Sequence, residues 1–257
     1  MYRGTDAGTI LDLIAPRAYA EGEEMPAVPS EEELTIHADF EELYARNPHV
    51  IGWLSAGEDM DYPVVQHDNE FYLDHDYFGN GDDNGTLFVN AANKLNPRDI
   101  ILLIHGHNMK SGAMFGDLDF FREYSYLCEY PIVTFRTIWD AEDVCYVPIA
   151  AFDASMDPGA YGYFNIGRIR FDFDIPADEN TGMRSSELEA YIAQMRELSF
   201  WDSPVEADST DAYITLVTCS YNHDDGRMML VCRRLREGET VESIAGKLLD
   251  AREQNLS

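Results

Sequence analysis

Two stretches of the chain carry residue types that can do covalent chemistry. Thr215-Leu216-Val217-Thr218-Cys219-Ser220 is an apolar run that halts at a cysteine, and Arg227 follows eight residues after that cysteine inside Gly226 to Val231. Upstream, Ile104-His105-Gly106-His107-Asn108-Met109 is a second apolar run that halts at histidine. Strands ending in this way would present a thiol, an imidazole and a guanidinium to one opening. The chemistry is then acyl transfer: a thiolate attacks a carbonyl, the imidazole moves protons, and a cation or backbone amide holds the oxyanion. A cation beside a cysteine also favours the thiolate. The competing reading of Cys219 is a buried cysteine that simply ends a core strand. Against it stands the polar stretch from Ser220 to Gly226, a natural loop that would fold Arg227 back beside the sulfur on the next antiparallel strand.

Other constellations are weaker. His105 and His107 are two apart, so on a strand they share one face. Such a pair is a common half-site for zinc, but no third and fourth ligand is defined; one structural and one functional imidazole is the better account. Asn80 to Gly85 copies the start of a calcium loop, yet Ala91 stands where the closing acid is required, so a turn explains it better. His37 and His49 flank a helix and are expected to face water. Neither a metal nor a cofactor is expected.

The elements that must position these groups follow from patterning. With 257 residues and 45% apolar content the chain can bury a full core. Ser30 with Glu33 forms a capping box, and a helix is predicted over 31–46, stopped before Pro48. Strands are predicted at 50–54, 62–66, 85–90, 99–105, 132–137, 143–152, 213–219 and 228–235. A helical turn is expected at 69–73, a helical stripe at 114–124, and an amphipathic helix from Ser186 to Leu198 behind a second capping box, Ser186 with Glu189. The order favours a mostly β barrel with inserted helices over alternating βαβ units, ending on two closing strands. Residues 1–29, rich in Pro, Ala and Glu, read as an extended lead-in, and 30–257 as the catalytic domain.

Composition narrows the partners. Eighteen Lys and Arg stand against 48 acids, a net charge of -30. This argues against nucleic acid and against adhesion to anionic lipid, both of which need clustered cations. No run of 18 apolar residues occurs, and Ala18-Tyr19-Ala20 only faintly resembles a signal-peptidase site. Cys128, Cys145 and Cys232 lie in apolar or aromatic surroundings and read as buried free thiols, whereas polar residues follow Cys219 at once.

In these motifs the chain resembles the class B sortases, cysteine transpeptidases anchored in the membrane of Gram-positive bacteria. The resemblance runs from about Phe40 to Leu235. It includes Asn47 to Leu54, Asp61 to Gln66, Asp68-Asn69 with Tyr72-Leu73, Gly85 to Val89, Gly106 to Met109 with Met114-Phe115, and Thr215 to Cys219 with Arg227. The resemblance implies an eight-stranded sortase barrel with N-terminal helices and a helix before the cysteine strand. It implies that Cys219 attacks the threonine carbonyl of a C-terminal sorting signal to form a thioacyl enzyme. His107 would protonate the leaving amine, then deprotonate the incoming one. Arg227 would bind the signal backbone and steady the oxyanion with the amide after Cys219. Asn69, Leu73, His105, Val217 and Ser220 would line or flank the substrate groove. Partners would be surface proteins or pilins bearing the signal, and an amine of the peptidoglycan cross-bridge or a pilin lysine. The expected enzyme is a monomer at the cell surface, its anchor absent from these residues. The alternatives are a thiol endopeptidase that hydrolyses the signal and a non-catalytic acidic barrel. Two positions depart from the family habit: His105, where tyrosine is frequent, and Ser220, where an acid is frequent. Both bear on signal preference rather than chemistry.

Overall fold

A computed structural model describes residues 35–155, 157, 186–222 and 226–255. Eight strands close into a barrel: β1 Val50–Ala56, β2 Met60–Val65, β3 Leu87–Val89, β4 Ile101–His105, β5 Val133–Thr137, β6 Cys145–Ser155, β7 Tyr213–Ser220 and β8 Gly226–Arg234. Around the barrel they run β1-β2-β3-β4-β7-β8-β6-β5. The β2–β3 and β4–β7 pairs are parallel and the others antiparallel. This is the fold class expected from the sequence, and each predicted strand has its counterpart within a few residues.

Strands β6, β7 and β8 read as near-continuous apolar runs because both of their faces are covered. Leu216 opposes Leu230 on one face of these strands and Phe152 opposes Met229 on the other, and all four are buried. Outside, helix α3, Ser186–Leu198, packs on β6 through Leu188, Ile192 and Met195, and a 3-10 turn at Gly116–Arg122 packs on β6 and β8. Burying one such side chain stabilises by about 1.5–3 kcal/mol, so this region anchors everything attached to it. The Ser186 side chain of the expected capping box lies outside the described residues. The Glu189 carboxylate accepts from the Ser209 amide at 2.7 Å.

Three helical expectations need correction. The first predicted helix is, among the described residues, a 3-10 turn at Ala38–Phe40 followed by α1, Glu41–Arg46; the Ser30–Glu33 capping box lies outside them. The stripe at 114–124 is the 3-10 turn followed by a separate helix α2, Tyr124–Glu129, because Phe115, Leu118 and Phe121 pack inward at three-residue spacing. The chain also does not end on β8. Helix α4, Val241–Asp250, starts at a reciprocal cap between Thr240 and Ser243, buries Ile244 and Leu248, and is followed by α5, Arg252–Asn255. The Tyr124 hydroxyl donates to the Leu248 carbonyl at 2.9 Å, fixing α4 against α2. Among the described residues no helix is long and apolar enough to cross a membrane.

Candidate active site

Cys219 lies opposite Arg227 in the β7–β8 register. In β7 it is the one exposed position, set among buried neighbours. Directly opposed residues of an antiparallel pair project to the same face, so the thiol and the guanidinium emerge side by side. The Arg227 guanidinium donates to the Gly226 carbonyl at 2.9 Å, which turns it along the strand end.

β4 delivers the histidines because it runs parallel to β7, with His105 level with Val217. The strand stops at His105, so the two imidazoles are not neighbours on one strand face. Gly106 separates them, and it cannot carry a side chain: a Cβ there would lie 2.3 Å from Leu87 and 2.8 Å from Phe115. Its amide donates to the Val217 carbonyl at 3.1 Å, and its carbonyl accepts from the Thr218 hydroxyl at 2.8 Å. His107 follows, its Nε2 2.6 Å from the Leu73 carbonyl. A carbonyl only accepts, so Nε2 carries the proton and Nδ1 of the neutral ring is left as an acceptor.

His105 behaves differently. It stacks on Phe88 with centroids 5.2 Å apart, and its Nε2 is 3.3 Å from the Asn90 amide nitrogen. Burial, with Arg227 adding to it, pushes its pKa down to about 4. At neutral pH it is an uncharged ring that can exchange hydrogen bonds but cannot serve as an acid.

These groups share a cleft of about 290 Å³. Cys219, Arg227 and His107 lie on it with Asn69, Leu73, His105 and Val217. Asn69 accepts from the Ala91 amide at 2.8 Å, and Leu73, 40% exposed, forms an apolar lip. The short 3-10 turn that carries Leu73, Phe71–Leu73, is preceded by Asp68, whose carboxylate accepts from the Phe71 and Glu70 amides at 2.6 and 2.8 Å. Those two bonds hold the Asp68 carboxyl below its usual range. Phe88, Asn90, Gly106 and Thr218 also line the cleft without having been singled out as groove residues. Asn90 was legible as the polar residue that ends the predicted strand at 85–90.

Ser220 is not among the lining residues. It is buried, and its hydroxyl accepts from the Asn222 amide at 3.3 Å and bonds Asp153 of β6. Strand alternation explains this: with Cys219 facing the cleft, its neighbour faces away. His223, Asp224 and Asp225 of the expected loop lie outside the described residues.

All four cysteines are free, but of the three expected to be buried only Cys232 is; Cys128 and Cys145 are only partly buried. Burial pushes the thiols of Cys128, Cys145 and Cys232 up, and Asp143 adds to the effect at Cys145. Cys219 alone is exposed. The two histidines expected to face water are only partly exposed. His49 lies against His67 in a tilted pair with ring centroids 4.3 Å apart and bonds the Tyr72 hydroxyl at 3.0 Å, while His37 lies 2.9 Å from the Arg136 guanidinium. Among the described residues no three His, Cys, Asp or Glu side chains converge as metal ligands.

A closed barrel with a thiol, a guanidinium and an imidazole on one cleft brings together the groups that cysteine acyl transfer requires. No protein-family model matches the chain. It is 26% identical to sortase B of Listeria monocytogenes over 202 residues, covering 76% of this chain and 73% of the relative. Among solved structures, a sortase B–substrate complex of Staphylococcus aureus superposes with a TM-score of 0.64 at 22% identity, covering 79% of this chain and 87% of the other. A sortase B complexed with triglycine gives 0.65 at 21% identity, covering 81% and 91%. Sequence kinship and fold thus agree on the class B sortases, a family of cysteine transpeptidases, as the proteins this chain resembles.

Proposed function

We propose that the protein is a cysteine transpeptidase of sorting signals, acting at the surface of a Gram-positive cell. The observation that carries the reading is the pairing of exposed Cys219 with Arg227 across β7 and β8, with His107 on the same cleft. In this reading the Cys219 thiolate attacks the carbonyl of the signal's threonine. The imidazolium of His107 gives its proton to the leaving amine, which departs and leaves a thioester on sulfur. An incoming amine then loses its proton to His107 and attacks the thioester, restoring thiolate and imidazolium. Arg227 holds the signal backbone and the oxyanion, where a planar fork can bond two oxygens at once. Asn69, Leu73, His105 and Val217 shape the groove. Solved relatives of this fold have been captured with a substrate and with triglycine, which supports a peptide donor and an amine acceptor in general terms. The catalytic domain would span 30–257.

The test is a panel of sorting-signal peptides with and without a glycine peptide. Intact mass should show a thioacyl adduct on the wild type and none on Cys219→Ala, and the product should carry the added amine. Free acid as the sole product would make the enzyme a hydrolase. An effect that survives Cys219→Ala would make the barrel a binding module.

A further inference from the structure

The parallel ladder between β4 and β7 stops at His105 and Val217, two residues before the cysteine. The last backbone rung is Gly106 N–H to the Val217 carbonyl. Beyond it the chains separate, because β4 must give way to the turn carrying His107. The carbonyls that follow would be left without partners, and side chains replace the missing rungs. The Thr218 hydroxyl bonds the Gly106 carbonyl at 2.8 Å, and the Asn108 side-chain amide donates to the Cys219 carbonyl at 3.0 Å.

Asn108 is buried and does not line the cleft. Its amide nitrogen has two hydrogens, and the second goes to Asp119 at 3.1 Å. That bond decides which end of the amide faces Cys219, since a carboxylate accepts and cannot donate. Asp119 is itself held by Arg122 at 3.1 Å, and Arg122 grips Asp153 of β6 through two 2.6 Å bonds. From the other side the Tyr221 hydroxyl donates to the Asn108 carbonyl at 3.0 Å. One residue therefore ties the backbone beside His107 to the backbone of Cys219, and the tie is rooted in the barrel.

We infer that Asn108, oriented by Asp119, is a positioning residue that sets Cys219 against His107 and Arg227. The inference rests on the transpeptidase reading for its catalytic consequence, while its geometric content is independent of any substrate. Removing the amide frees the end of β7 from the histidine turn, and the sulfur loses its fixed relation to the cation and imidazole.

Two measurements test it. The first needs no substrate: iodoacetamide labelling of Cys219 at neutral pH, read by peptide mass mapping. Cys219 is already exposed, so access does not limit the rate. Asn108→Ala should slow labelling about tenfold. Asp119→Ala should slow it less, and the double variant should be no slower than Asn108→Ala alone, the non-additivity of two groups in one network. Asp119→Asn keeps an acceptor oxygen, though its amide can also donate, and should label at a rate between those of Asp119→Ala and the wild type, which a merely structural loss of the carboxylate would not allow. An unchanged rate in Asn108→Ala, or effects that multiply in the double variant, would overturn the inference. Should Asn108→Ala fail to fold, the contrast between Asp119→Ala and Asp119→Asn carries the test with Asn108 in place. The second measurement is turnover of a signal peptide, where Asn108→Ala should lose about 10²-fold in kcat with KM within twofold. A wild type that turns over no peptide defeats the transpeptidase reading, and the labelling result still decides the role of Asn108.

Discussion

The two ends of the β7–β8 hairpin treat arginine in opposite ways. At one end Arg233 is wholly buried and meets Glu239 at 2.7 Å, while Arg236 just beyond the strand is clasped by Asp208 at 2.9 Å and Asp211 at 2.8 Å. The Asp211 bond heads the interactions that push the Arg236 guanidinium further up from its already high range. At the other end, among the described residues, Arg227 faces no carboxylate and lies beside a thiol at an open cleft. Among those residues the same two strands thus carry a neutralised cation that holds the chain together and an unneutralised one that can act on a ligand. In a chain with a net charge of -30, that contrast between two arginines is itself informative.

The largest expected effect comes from the open end. Arg227→Lys keeps the charge but loses the planar fork, and signal-peptide turnover should fall by about 10²–10³-fold. The thermal midpoint should stay within about 2 °C, because no buried partner is orphaned. Near-wild-type turnover would show that Arg227 acts only as a point charge, and the contrast between the two ends would lose its functional half.

At the closed end the consequence should be reversed. Glu239→Ala leaves the Arg233 guanidinium in the interior without its carboxylate, a loss of about 3–5 kcal/mol. For a domain of this size that corresponds to a fall in midpoint on the order of 10 °C. Labelling of Cys219 below the transition should be unaltered. A stable Glu239→Ala protein would mean that the buried arginine finds compensation, and the far end would then not be the structural anchor described.

The difference between the ends was only half legible in the sequence. Cys219, His107 and Arg227 could be read because each sits where an apolar run breaks, and strand ends are where a barrel opens. The groove residue Leu73 owed its selection to family resemblance, and its carbonyl bond to His107 spans 34 positions that no local pattern links. Ser220 enters the groove only through the family resemblance at the position after the cysteine, and period-two alternation turns it toward Asp153 instead. Helix α4 escaped because its cap is Thr240 with Ser243 rather than a Ser/Thr paired with Glu, and only two of its side chains are buried. His49 reads as exposed among polar neighbours; its partial cover comes from His67 and Tyr72, which are distant in sequence.

The smallest effect expected separates the two histidines of the cleft. His105 titrates at about 4 in the folded protein against 6.5 for an ordinary imidazole, burial being the larger cause and Arg227 the smaller. Above pH 6.5 the ring is neutral in both states and contributes no pH dependence. As pH falls below 6.5 the unfolded chain takes up a proton that the folded one refuses, so stability is lost progressively down to about pH 4. The full span corresponds to about 2–3 kcal/mol. Comparing urea midpoints of the wild type and His105→Phe from pH 7 to 4 isolates this share, because the carboxylates that titrate in the same window are common to both. The variant should lose less stability on acidification, and the gap should open between pH 6.5 and 4. Parallel curves would mean that His105 takes up its proton in place, putting a second cation beside Arg227, and the open end would then carry more charge than the single guanidinium that distinguishes it.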